Sequence, residues 1–201
     1  MITLIKSFIL FLALFLIPFC NTPINAISLI EIQNNPERYE KIENLMTPLG
    51  LYIDKESVKS LRYEPPYYNI RATIYLVFYD GNRILSEDTI YSYNLNYSAK
   101  SYAQRIEKNI TSSKSEKLDI WAKKLTENCG IQNSIQDRNS YDLNGVLKSP
   151  LDRQLLPKNI QMGSADYLIA NQLFYNLYNQ YFSIPNDFFN NLYMKGDSHG
   201  T

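Results

Sequence analysis

The sequence predicts an α+β fold: an antiparallel β-sheet of about five strands, a C-terminal helix packed on it, and an additional helix in the middle of the chain. Three features carry that expectation. Apolar and polar residues alternate from Tyr67 to Tyr79, ahead of a two-residue turn at Asp80-Gly81. The spacing of apolar residues then becomes helical across Leu118, Trp121, Ala122 and Leu125. Ser164 finally opens a long apolar stretch of the right length for a second helix.

The first 26 residues read as a secretory signal peptide. Lys6 supplies a lone positive charge, and Ser7 to Cys20 is an almost unbroken apolar run. That run is short of the roughly 20 residues a bilayer span needs, and fits the roughly 7–15 of a signal core. Ala26 offers a small residue for cleavage. An uncleaved anchor, or a lipid on Cys20, are the competing readings; bulky Phe19 beside Cys20 argues against the lipid. Cleavage after Ala26 leaves Cys129 as the sole cysteine of the mature chain, so no internal disulfide can form. The bland reading of Cys129 is a small buried hydrophobe near a helix end.

Residues 27–49 form an N-terminal arm, either a short helix or a loosely docked segment. The α+β domain follows over 50–185. Leu51 to Ile53 reads as a strand, Asp54 to Ser57 as a turn held by side chain to backbone hydrogen bonds, and Val58 to Tyr63 as a second strand stopped by Pro65-Pro66. With Asp80-Gly81 as the loop, Leu76 falls opposite Leu85, Ala72 opposite Thr89, Ile70 opposite Tyr91 and Tyr68 opposite Tyr93. The apolar faces coincide, and a slip of one residue would separate them. Glu87 opposite Ile74 is the one misfit.

Tyr102 to Thr111 reads as a weaker strand and Glu116 to Asn128 as a helix that Cys129-Gly130 can end. Asn144-Gly145 marks another hairpin turn. Ser164 to Phe182 reads as a helix lying across the sheet, stopped by Ser183-Ile184-Pro185. Residues 186–201 form a polar-ended tail.

Chemistry is scarce. His199, the single histidine, lies near the chain end, so neither a Ser-His-Asp nor a Cys-His arrangement can be built on an ordered scaffold, and a histidine zinc site is equally out of reach. Seven glycines stand singly, so there is no Gly-rich phosphate loop. Lysine plus arginine equals aspartate plus glutamate at 20 each, and loss of Lys6 leaves a formal charge of about −1, without the basic excess of a nucleic-acid binder. No cofactor is expected, and the membrane is met only through the signal peptide. Asp54, Glu56, Glu64, Glu87 and Asp88 are the acids a carboxylate-dependent hydrolase would use.

Tyrosine stands out, at 17 residues. Arg71, Tyr75 and Tyr79 fall on the strand face opposite the expected core and form a candidate binding patch for a peptide, a glycan or another envelope protein. The competing reading is that the Leu118 to Leu125 helix or the N-terminal arm covers that face.

Tyr52 to Ser57, Arg62 to Tyr68, Tyr141 to Gly145 and the Ala170-Asn171, Phe174, Tyr178 pattern resemble a group of small exported proteins of anaerobic bacteria. Some of these are similar in pattern to the surface-adhesin E-like domain, whose aspartate-x-x-serine turn matches Asp54 to Ser57. Relative to that pattern, Ser112 to Gln136 looks like an insertion. The resemblance implies an envelope location and a binding role, and it carries over no catalytic residue. The expected function is thus an exported, non-enzymatic binding or envelope-associated protein. The alternatives are an extracytoplasmic hydrolase or a subunit of an envelope assembly.

Overall fold

A computed structural model describes residues 27–43, 48–111, 113–150 and 155–183. The expected signal segment, its cleavage site, His199 and the 186–201 tail lie outside the described residues. In chain order the elements are α1 (Leu29–Asn34), β1 (Tyr39–Ile42), β2 (Gly50–Asp54), β3 (Lys59–Glu64), β4 (Tyr67–Phe78) and β5 (Arg83–Asn94). After them come α2 (Ala99–Asn109), α3 (Lys114–Glu127), β6 (Ile131–Tyr141), β7 (Leu147–Pro150), β8 (Lys158–Asn159) and α4 (Ala165–Tyr178). The class is the α+β one expected, with eight strands in place of about five.

All strand pairs are antiparallel, in the order β1-β2-β4-β5-β6-β7. β2 and β3 share one edge of β4, β2 pairing Ile74 to Val77 and β3 pairing Tyr67 to Arg71. Between them, Asp54 accepts from the Glu56 N–H at 3.1 Å and Ser57 Oγ donates to the Asp54 carbonyl at 2.6 Å, which makes the turn that the side chains foretold. The β4–β5 hairpin has the register derived from its turn, with Leu76 opposite Leu85 and Tyr68 opposite Tyr93. Asn82 closes the turn in the left-handed region at φ 43°.

One face of the sheet packs against α4. Ser164 caps the helix by accepting from Tyr167 N–H at 3.2 Å, and Tyr167, Ile169, Ala170, Leu173 and Phe174 are buried against Tyr68, Ile70, Tyr91 and Tyr93. The Phe174 ring lies 5.2 Å from Tyr68 and 5.1 Å from Tyr93, and Tyr93 Oη donates to the Ala170 carbonyl at 2.8 Å, so this tyrosine packs its ring without stranding its hydroxyl. The helix ends earlier than the proline signal suggested. Asn179 adopts the left-handed conformation at φ 51° and stops it after Tyr178.

The Tyr102 to Thr111 strand expectation is overturned. That segment lies in α2, because Ser98 caps it and Ala99, Tyr102 and Ile106 recur at helical spacing toward α3. α3 begins two residues before the expected start, with a capping box between Ser113 and Glu116. Trp121 Nε1 donates to the Ala99 carbonyl at 2.8 Å, and the two helices form a small cluster of their own. They are an excursion between neighbouring strands. Asn94 N–H bonds the Gly130 carbonyl at 2.8 Å where the excursion leaves and rejoins the sheet. Cys129 is buried there, with its thiol donating to the Ile160 carbonyl at 3.1 Å, and burial pushes the thiol pKa up.

Candidate functional site

Side chains alternate along β4, so the face opposite α4 is built from Asn69, Arg71, Thr73, Tyr75 and Val77. This face divides in two. At one end Tyr75 and Val77, with Tyr52, Ile84 and Tyr141 from neighbouring strands, are buried beneath Ile27, Ile32 and Tyr39. The N-terminal segment is fastened there by the Leu29 N–H bond to the Leu143 carbonyl at 2.9 Å and by Arg38, which donates to both Asp54 oxygens at 3.1 and 2.8 Å.

Along the same strands the residues then turn polar and the cover stops. Ser57, Lys59, Arg71, Thr73, Ser86, Asp88, Asp137 and Asn139, with Leu61, line a cleft of about 410 Å³ across β3, β4, β5 and β6. Arg71 Nε donates to Asp88 Oδ1 at 2.9 Å while Nη2 bonds Oδ2, a two-pronged pair that fixes both side chains. Asp88 also holds the Arg71 guanidinium above its ordinary pKa, so Arg71 stays charged. Asp88 is the more enclosed partner, at 22% side-chain exposure against 48% for Arg71. Asp137 stands directly across from Asp88 on β6 and accepts from Asn139 Nδ2 at 3.1 Å. Ser57 Oγ accepts from Thr73 N–H at 2.8 Å and so ties the cleft's far wall to its floor.

The structure separates the three residues of the expected patch. Arg71 lies in the cleft. Tyr75 does not belong to a surface at all: it is 8% exposed, its ring meets Tyr39 edge-on at 5.7 Å, and burial pushes its phenol up to about 12. Strand alternation assigned Tyr75 its face, and of the two competing readings it is cover by the N-terminal arm, through Ile27, Ile32 and Tyr39, that the structure shows over Tyr75. Tyr79 sits at the hairpin tip, with its hydroxyl 3.2 Å from that of Tyr52, beside a separate hollow of about 320 Å³.

No family model, curated protein or solved structure matches this chain.

Of the acids named for a hydrolase, only Asp88 lies in the cleft. Asp54 and Glu56 share Arg38 outside it, at 2.8 and 3.3 Å, Glu64 pairs with Arg62 at 2.7 Å on exposed β3, and Glu87 pairs with Arg138 at 2.6 Å on the α4 side. Burial raises the Glu87 pKa against the pull of Arg138. Glu87 and Asp88 are sequence neighbours on opposite faces, as a strand requires. Among the described residues, no three His, Cys, Asp or Glu side chains gather to hold a metal ion.

Sequence reasoning missed the β6 contribution, Asp137 and Asn139. Ile131, Asn133 and Ile135 alternate as a strand should, but Gln136 is an extra residue where the β5 pairing shifts, and the pattern breaks there.

Proposed function

We propose that this chain is an exported binding protein that holds a polar ligand in the open half of the sheet face and performs no reaction on it. One observation carries the reading: a single sheet surface is sealed with apolar cover at one end and left open at the other, where charged, hydroxyl and amide side chains from four strands face the same space. Side chains on paired strands are positioned by the backbone ladder rather than by loop conformation, which suits a preformed site. The chemistry of the lining favours a hydrogen-bonding ligand, a glycan or a polar peptide segment, including one displayed by another envelope protein. Export rests on the Lys6 charge and the apolar run behind it. Among the described residues, no helix is long and apolar enough to cross a membrane.

Binding is favoured over hydrolysis by the state of the acids. Asp88 is committed to Arg71 through both oxygens, which leaves neither free to face a scissile bond. The test is a panel of glycans and short polar peptides assayed for affinity to the protein and to Arg71→Ala. The reading expects at least one ligand whose affinity falls about tenfold or more in the variant, roughly the effect of losing one charge-assisted bond, with an unchanged circular dichroism spectrum. Equal binding by both proteins would refute it, as would turnover of a glycoside or ester substrate that Asp88→Asn or Asp137→Asn abolishes.

A further inference from the structure

We infer that the outer edge of β3 is a self-association surface, on which a second copy of this chain pairs antiparallel through the same six residues. β3 pairs with β4 on one side, and among the described residues nothing pairs with its other side. Every residue from Lys59 to Glu64 is exposed, including Leu61 at 51% and Tyr63 at 64%. An unpaired row of N–H and C=O groups is a template for another strand. The other outer strands are poorer ones. β1 has four residues with Tyr39 and Ile42 buried, and β7 and β8 have four and two.

The occupant is identified by complementarity. A two-fold axis between Leu61 and Arg62 sets Lys59 of each copy opposite Glu64 of the other, Ser60 opposite Tyr63, and Leu61 opposite Arg62. Opposite charges thus meet twice, where moving the axis onto Arg62 would set arginine against arginine. In a regular strand this pairing is impossible, because residues an odd number apart point to opposite faces. The bulge in β3 removes the obstacle. Ser60 pairs with Ile70 and Arg62 with Asn69, so Leu61 is an extra residue, and it lines the cleft on the same side as Arg62.

Lys59, opposite Arg71, and Glu64, opposite Tyr67, therefore also face the cleft side, while Ser60 and Tyr63 both face the α4 side. Each proposed cross-copy pair then shares a face, as antiparallel neighbours must. Lys59 makes no ion pair among the described residues, and Glu64 holds only Arg62 of its own chain at 2.7 Å in an exposed contact. Such an interface is isologous and closes at two copies. It joins the two clefts along one continuous face, whatever ligand they hold.

Sedimentation velocity of the protein, without ligand, from about 10 μM to about 500 μM tests this; six strand residues a side suit an affinity in that range. The expected result is a concentration-dependent dimer, at least about tenfold weaker in Lys59→Glu and in Glu64→Lys, and recovered in the double variant that exchanges the two charges. Both side chains are exposed, so the variants should keep the fold. Zero-length carbodiimide coupling of mixed ¹⁴N and ¹⁵N protein gives a second readout on the unaltered chain. Lys59 and Glu64 of one copy are roughly 16 Å apart along the strand, so a Lys59–Glu64 crosslink must join two copies. A monomer throughout, a dimer indifferent to the single reversals, a double variant no better than either single one, or crosslinks mapping elsewhere would overturn the inference.

Discussion

Arg71 and Tyr75 stand four residues apart on one side of β4, and their energetic roles are opposite. Tyr75 is sealed under the N-terminal segment, so Tyr75→Ala should cost about 3 kcal/mol, the scale of deleting a buried aromatic ring. Arg71 belongs to a half-exposed ion pair, so Arg71→Ala should cost under about 1 kcal/mol. Urea unfolding of the two variants measures the contrast; similar losses would mean that the face is not divided. Asp142 offers a pH test. Its carboxylate accepts from Val146 N–H at 2.9 Å and Asn144 N–H at 3.0 Å and pairs with Lys148 at 3.1 Å, which holds its pKa below the ordinary aspartate value. A lowered folded value means stability that is present above the ordinary value and lost as pH falls through the lowered one. The unfolding gap between wild type and Asp142→Ala should therefore be widest near neutrality and shrink in acid. A gap that widens on acidification would contradict the assignment.

Local elements were legible in proportion to how far local chemistry decides them. The β4–β5 hairpin was readable because a turn signal and an alternating pattern fix the same register independently. α3 and α4 were readable from capping serines and apolar spacing. α2 was not, since Tyr102 and Ile106 alone fit an alternating pattern as well as a helical one, and the Ser98 cap and Ala99 that decide for a helix lie just before them. β6 was missed because its bulge interrupts the alternation. α2 and α3 depend on the joint at Gly130. Its φ is +77°, and a Cβ there would meet the Asn94 carbonyl oxygen at 2.7 Å. Gly130→Ala should accordingly destabilise by about 1–3 kcal/mol, read as a shift in the urea midpoint. An unchanged midpoint would show that the joint can relax.

At the scale of the molecule, tyrosine among the described residues does much of the core packing that phenylalanine does in most proteins. Tyr91 and Tyr93 are buried beneath α4, Tyr52 and Tyr75 are buried beneath the N-terminal segment, whose own Tyr39 packs on them, and burial raises the pKa of all five. Raised folded values mean stability that is complete below the ordinary phenol value of 10.0 and lost as pH climbs through the raised ones. In an alkaline titration these tyrosines should ionise late, together with the loss of near-ultraviolet dichroism. Independent ionisation of every tyrosine near pH 10 in folded protein would contradict the packing.

Fold class was written locally in the chain, whereas the site depends on which half of a face another segment covers, and only the assembled structure holds that information. The most direct test is ¹⁵N chemical-shift mapping with whichever ligand the affinity panel yields. The amides of Ser57, Arg71, Thr73, Ser86, Asp88 and Asn139 should shift, with Tyr75 and Val77 moving little. Perturbations centred on the hairpin tip or on β7 and β8, with the cleft amides unmoved, would contradict the proposed site.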